Sequence, residues 1–395
     1  MNSSIQAIFV DHLEILNNDK LVSLIPNIVI LAMYLIAGLF GNGLVLYIYT
    51  FKLKSKTDDR YFIPFLALMD MIACIIGASF SIAVNTNQLT FRSNLICKLM
   101  WTVNKFTSIS SGLMLVAIAV QRYIKVCRPF RSVMTINSKR FAIKLIIVIS
   151  ILLVVPSGFL YGVDDEYIEN DGINITVYRC TVDSNIDRRY DIGYSVFLLF
   201  FCFTGILTIS ILYFLIMKTI YKQESFWKKK RSNQSMRKTE QKSNQKENEE
   251  TSQSYKISEM SEHDPQHFES SSDIGEDSQS THNCNDLNNT TGHTINREQG
   301  SSLGKVLRCM IRKYKISVMF IIVTALFAVS YFPRIIIMII ESADINFWQT
   351  LTTRQYSFCL FLYRAYLLNN ILNPVVYSVF DTSFKKECRS LCIRN

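Results

Sequence analysis

Long uninterrupted apolar runs limit this fold more than any other feature of the chain. Residues 26–49, 62–84, 145–163, 192–217, 316–340 and 356–380 each read as a stretch of about 20 mostly apolar residues. The amount of apolar residue is unremarkable for a soluble domain, at 49%. The bunching is what matters, because a run that crosses hydrocarbon must satisfy its own backbone hydrogen bonds and so folds as a helix. A seventh stretch, 97–126, is more polar, and its uncharged centre, 106–120, is only 15 residues long. We count it as a span because the number of crossings becomes odd and the loop charges then fall into line.

Those charges orient the chain. Lys52, Lys54, Lys56 and Arg60 follow the first span, and Lys125, Arg128, Arg131, Lys139 and Arg140 lie between the third and fourth. Lys218, Lys222 and 228–231 follow the fifth, and Arg308, Arg312, Lys313 and Lys315 precede the sixth. Basic loops face the cytoplasm, so the N-terminus is expected outside. The same flanks account for the net charge of +10 without a nucleic-acid partner. No charged start, short apolar core and cleavage site precede the first span, which is therefore expected to start insertion itself. The sequons at Asn2 and Asn174 fall outside and are expected to carry glycan; the one at Asn288 faces the cytosol and should stay bare.

The expected organisation is an extracellular N-terminus (1–25), spans one to five (26–222), a disordered third cytoplasmic loop (223–307), spans six and seven (308–380) and a surface helix with tail (381–395). The loop assignment rests on composition: only nine of the 75 residues in 228–302 are apolar, too few to offset the entropy of ordering. Its serines 270–272 and 278 are phosphorylation candidates, and a plain solvated spacer is the competing reading.

The seventh run reads Leu367-Leu368-Asn369-Asn370-Ile371-Leu372-Asn373-Pro374-Val375-Val376-Tyr377. Three asparagines and a proline are costly in a buried helix, since each amide needs a partner and Pro374 removes the donor for the Asn370 carbonyl. Asn373 and Tyr377 share one helical face beside that bend. The tail after it, Phe384 to Cys392, has a basic side and an apolar side. This pattern resembles the seventh helix and following surface helix of the rhodopsin-like (class A) G-protein-coupled receptors. The resemblance covers nearly all the membrane part, from Gly41-Asn42 to Phe384. It implies an all-α membrane protein, a seven-transmembrane-helix bundle with a short amphipathic C-terminal helix.

Residue by residue, the resemblance implies several sites. Cys97, at the outer start of span three, and Cys180 would form the disulfide that pins the outer loop over the bundle; a free pair is the alternative. Asp70 in span two, with Ser111, Asn369 and Asn373, matches the family's sodium site, an all-oxygen set suited to a hard cation. A bare hydrogen-bond cluster is the competing reading. Gln121-Arg122-Tyr123 stands for the family's Asp/Glu-Arg-Tyr, followed by Phe130. Gln121 removes the acid that restrains the arginine, and Lys313, at the matching place on span six, would repel it. Phe327, Tyr331 and Pro333 match the switch of span six, with Tyr331 in place of a tryptophan. Tyr213, Asn373, Pro374 and Tyr377 complete the activation set. Gly205 replaces the usual proline of span five, Gly112 faces it, and span four has no tryptophan. Cys388 and Cys392 are palmitoylation candidates that would anchor the tail to membrane lipid.

The ligand is constrained by what is missing. Asn104 stands where amine receptors carry an aspartate, and Leu367 where opsins carry the retinal lysine. The pocket positions are Asn104, Lys105, Ser108, Arg334, Met338, Glu341 and Tyr363. The outer loop from Gly162 to Asp191 holds eight acids against three bases, which attracts cationic groups. Lys105 and Arg334, deeper, suit a carboxylate or carbonyls; the competing reading pairs them with Glu341 or loop acids. A peptide, of the kind neuropeptide receptors bind, fits both demands better than a small molecule. A plasma-membrane receptor for such a ligand would activate heterotrimeric G proteins and meet arrestin and receptor kinases.

Other classes explain less. A transporter or channel calls for inverted repeats or rings of charge, and none is visible. All five histidines lie outside the spans, so no membrane histidine–metal site forms and an enzyme is not expected. No organic cofactor is implied. A receptor fold that binds ligand without coupling remains the rival within the class.

Overall fold

The computed structural model describes residues 3–53, 60–128, 134–170, 173–256, 299–344 and 347–393. Met1–Ile216 with Tyr314–Asn395 form one compact unit, and Met217–Lys313 a second. The first unit carries the membrane helices. They are α1 (Ser3–Tyr47, continued by a π-helical turn, Ile48–Lys52), α2 (Ile63–Thr86), α3 (Asn94–Cys127) and α4 (Ile136–Val154). A single turn, α5 (Ser157–Leu160), leads into the strands β1 (Tyr161–Asn170) and β2 (Ile173–Val182). Then come α6 (Arg188–Lys256), α7 (Gln299–Ala343), α8 (Phe347–Thr350), α9 (Thr353–Tyr363), α10 (Leu367–Phe380) and α11 (Thr382–Ile393). Among the described residues six helices are long and apolar enough to cross a membrane, and α10 is a shorter apolar helix.

The third span, doubtful by hydropathy, is one of the six: α3 runs unbroken for 34 residues. The seventh is interrupted. Around Arg364–Tyr366 the backbone tightens to i→i+3 bonds, with Ala365 N donating to Leu362 O (3.1 Å) and Leu367 N to Arg364 O (3.1 Å). Such a 3₁₀ stretch re-aims the side chains on either side of it.

Three features refine these expectations. The helical fold expected is the one observed, and one loop adds a hairpin in which β1 and β2 pair antiparallel, from Tyr161 opposite Val182 to Asn170 opposite Ile173. Residues 3–25, expected to lie outside the membrane, are helical. They extend α1, and Pro26 is tolerated inside the helix. Residues 223–256 and 299–307, expected to be disordered, belong to α6 and α7. The stretch 228–256 contains no glycine or proline and is rich in Lys, Glu and Gln, so local propensity favours helix where no apolar face exists to be buried.

The hairpin packs at the end of the bundle where α3 begins. Cys97 and Cys180 are disulfide-bonded, as the resemblance implies, and lie with Phe80 and Phe91 in a buried cluster flanked by Trp101. Ile175 and Val177, two apart on β2 and so on one face, pack against Leu89 and against Leu13 of α1. Asn17 fixes this contact with both ends of its amide. Its Nδ2 donates to Thr86 O (2.9 Å) and its Oδ1 accepts from Leu89 N (3.1 Å).

Candidate functional site

In the half of the bundle that carries the disulfide, Lys105 of α3 is only 9% exposed. Its Nζ lies 4.0 Å from the centre of the Tyr161 ring, 4.8 Å from Tyr194 and 5.9 Å from Trp101. Arg334, just after Pro333 on α7, sits over Tyr366 (4.3 Å) and Tyr363 (5.1 Å). Ring faces carry the negative side of the aromatic quadrupole, so both cations are held without a counter-ion. Neither takes part in the ion pairs Arg60–Asp381 and Arg179–Glu166. Asp191 lies within electrostatic range of Lys105, and Glu341 within range of Arg334. Glu341 itself is exposed, and Met338 is half-buried.

Below the cations lies a polar and aromatic floor. Asn104 Nδ2 donates to the Tyr366 hydroxyl at 2.8 Å. Tyr331, with Ser108 beside its hydroxyl, stacks on Phe327 at 4.4 Å and meets Tyr366 at 5.7 Å. Phe327 packs close to α3 because residue 112 is glycine: a Cβ there would fall 3.3 Å from Phe327 Cζ. The Gly112 departure thus has a packing reason. No neighbour lies within 4 Å of the Cβ position of Gly205.

At mid-depth, Asp70 is fully buried. Ser111 Oγ donates to its Oδ1 (3.1 Å) and Asn373 Nδ2 to its Oδ2 (2.7 Å). Asn369 donates instead to Asn370 Oδ1 at 3.2 Å. The amide oxygens of Asn369 and Asn373 are buried without a hydrogen-bond partner. A carboxylate, a hydroxyl and two unpartnered amide oxygens are a donor set that fits a hard cation. The carbonyl released by Pro374 is satisfied from outside the helix: Asn42 Nδ2 donates to Asn370 O at 2.8 Å.

At the other end of α3, Arg122 is 2% exposed and its guanidinium lies 4.8 Å from the centre of the Phe320 ring on α7. Gln121 is buried beside it, and Tyr123 is half-buried. The hydroxyls of Tyr213 and Tyr377 are both buried; among the described residues neither has a hydrogen-bond partner of good geometry, and Thr324 lies beside that of Tyr213. Asp381 caps α11 by accepting from Ser383 N (2.9 Å), and receives Tyr49 Oη (2.7 Å) and both ends of the Arg60 fork (2.7 and 2.8 Å).

The sequence description "7 transmembrane receptor (rhodopsin family)" matches residues 41–377, most of the chain. The chain belongs to that family. The receptor is 28% identical over 136 residues to the dopamine D2-like receptor of Drosophila melanogaster, covering 34% of this chain and 15% of that one. It is 25% identical over 207 residues to neuromedin-U receptor 1 of Mus musculus, covering 52% and 48%. It is 30% identical over 130 residues to hydroxycarboxylic acid receptor 2 of Homo sapiens, covering 33% and 35%. These matches span at most about half the length of each relative. Squid rhodopsin shares the fold, with a TM-score of 0.58 at 16% identity over 91% of this chain and 82% of that one.

The structure brings together Asn104, Lys105, Ser108, Arg334 and Tyr363 of the receptor's expected pocket. It adds Trp101, Tyr161, Tyr194 and Tyr366, which sequence reasoning did not single out. Tyr161 and Tyr194 could have been flagged as polar-tipped aromatics at membrane edges; nothing in the sequence pairs them with Lys105. Asp381 was also missed, although an aspartate immediately before a basic amphipathic stretch is an N-cap signal. Asn2, Asn288 and Phe130 lie outside the described residues; Asn174, Lys313 and Cys392 are placed by backbone alone, on β2, α7 and α11.

Proposed function

We propose that this receptor binds an extracellular peptide between α3, α6, α7 and α9–α10 and activates heterotrimeric G proteins by outward movement of α7. The reading is carried by the pair Lys105 and Arg334, held by tyrosines rather than carboxylates. A cation that rests on ring faces keeps its charge available to an entering anion. The acidic outer loop favours a ligand with a cationic end, and two opposite charges on one flexible ligand are ordinary in a peptide. The name of the neuromedin-U receptor is consistent with this, while Asn104 argues against the amine that the dopamine relative is named for. On the inner side, Tyr213 and Tyr377 hold buried hydroxyls without a hydrogen bond of good geometry near the level of Arg122; their meeting would give the active state bonds that this state lacks.

Asp70, Ser111, Asn369 and Asn373 would hold sodium in the inactive state. The ion can shift the equilibrium only by its differential affinity for the two states. Raising sodium should therefore weaken agonist binding to the wild type and have little effect on Asp70→Asn; equal sensitivity would refute the site.

The function is tested by screening free-acid and amidated peptides on cells expressing the chain, with calcium and cyclic AMP read together. A responding peptide should lose about tenfold or more in potency with Lys105→Met or Arg334→Met. Peptide binding without either signal would favour a receptor that does not couple.

A further inference from the structure

The half of α7 around and beyond Pro333 sorts into two faces. Val329, Phe332, Ile336, Ile339 and Ile340 are large, apolar and exposed, the stripe of a span that lipid covers. Phe327, Ser330 and Ile337 are buried, and the Arg334 guanidinium lies over the rings of Tyr366 and Tyr363. Positions 327, 330, 334 and 337 step by three and four, so they mark the face turned towards the other helices. The next step on that face is Glu341.

Glu341 is nevertheless exposed, while Arg334 and Met338 are half-buried. Residues three and four apart adjoin on a helix, so reachable surface runs from the carboxylate past Met338 to the guanidinium. Seven residues cover about 10 Å of helix and return to within about 20° of the same direction. The two charges therefore point one way at a fixed separation, with the Arg334 guanidinium on rings rather than against Glu341. An aromatic wall stands beside this face: the Tyr363 ring that holds Arg334 is met edge-on by Trp348 at 6.1 Å, and Trp348 meets Tyr356 at 5.5 Å. A reachable carboxylate beside such a wall suits a guanidinium, which is planar, always charged and stacks on rings.

We propose that Glu341 is a cation subsite of this receptor, so that the ligand is a peptide with a free C-terminal carboxylate and an arginine third from its end. This rests on the peptide-receptor reading above. The carboxylate lies at Arg334, and the arginine donates its forked N–H groups to Glu341. An extended chain advances about 3.3 Å per residue, which sets the third residue from the end roughly 10 Å from the terminal carboxylate, the separation of the two charges on α7. Met338, between them, offers the intervening residue an apolar surface.

The test uses the purified full-length receptor in detergent and reads its unfolding temperature against probe concentration. The probes, all with free carboxylates, are N-acetyl-Arg-Ala-Leu, N-acetyl-Gln-Ala-Leu, N-acetyl-Ala-Arg-Leu, N-acetyl-Glu-Ala-Leu and the ω-amino acid 8-aminooctanoate. N-acetyl-Arg-Ala-Leu should stabilise the wild type at about fivefold lower concentration than N-acetyl-Gln-Ala-Leu or N-acetyl-Ala-Arg-Leu. In Glu341→Lys the order should reverse, with N-acetyl-Glu-Ala-Leu acting at lower concentration than N-acetyl-Arg-Ala-Leu and N-acetyl-Gln-Ala-Leu unchanged. A reversed order identifies the charge contact even where the variant is less stable without probe. The same order in wild type and Glu341→Lys would overturn the subsite and leave the peptide-receptor reading standing. Equal action of N-acetyl-Ala-Arg-Leu and N-acetyl-Arg-Ala-Leu would overturn the spacing. 8-Aminooctanoate acting at the peptide's concentration would keep the subsite and overturn the peptide as its source. No stabilisation by any probe would overturn the subsite and the anion role of Lys105 and Arg334 together.

Discussion

Asn42 decides whether Pro374 can be afforded inside a buried helix. Its side-chain amide reaches across from α1 and gives the Asn370 carbonyl the donor that the proline removed, at 2.8 Å. It also bonds Gly38 O of its own helix at 3.1 Å. Asn42→Ala should therefore cost about 1–3 kcal/mol, the usual penalty for stranding a buried polar group. Thermal unfolding of the solubilised receptor measures this, and an unchanged midpoint would mean that water or another side chain serves the carbonyl equally well. The sequence disclosed that the carbonyl was freed but not what would serve it, because a partner 328 residues away leaves no periodic trace. The same holds for the rings around Lys105, Trp101, Tyr161 and Tyr194, drawn from three separate elements. The disulfide was legible because Cys97 and Cys180 are the two cysteines expected on the oxidising side and match the family's bridge, and the Asp70 cluster because an acid at membrane depth needs partners.

At the scale of elements, periodicity and charge located the spans but not where they stop or bend. The first helix begins at Ser3 rather than near Pro26, since proline inside a long helix weakens the helix without always ending it. The apolar run 356–380 gives no sign of the turn at Arg364–Tyr366, whose tightening is made of backbone bonds that any residue can form. The hairpin is legible only afterwards, in the alternation of Ile173, Ile175 and Val177. The outer extension of α1 has a testable anchor in Asn17, which serves both Thr86 O and Leu89 N. Asn17→Ala leaves the turn after α2 without both bonds and should lower stability by about 1–3 kcal/mol. Asn17→Asp, which keeps the acceptor for Leu89 N and loses the donor, should fall between wild type and alanine. If all three proteins unfold alike in detergent, the extension does not dock on that turn.

If the receptor as a whole is a balance between two states, as proposed above, Arg122 is where its restraint would depart from the family pattern. With glutamine at 121 no acid stands next to it, which alone removes about 1.5–3 kcal/mol of charge-assisted hydrogen bonding from the inactive state. The Phe320 ring replaces part of that: a desolvated cation–π contact contributes about 2 kcal/mol, and this one joins α3 to the helix that must move. The two figures are close enough that ligand-independent signalling should be measurable but not maximal. Phe320→Leu removes the ring and keeps an apolar side chain, so it should raise basal signalling on the order of tenfold, the change expected from about 1.4 kcal/mol. Gln121→Asp should lower basal signalling in the wild type and in Phe320→Leu, because it adds a restraint that does not depend on the ring. Arg122→Ala should abolish it in every background. Surface expression measured in parallel separates a shifted equilibrium from lost protein. If Phe320→Leu leaves basal signalling unchanged while Gln121→Asp lowers it, the ring carries none of the restraint, and the inactive state is held by other contacts of the arginine.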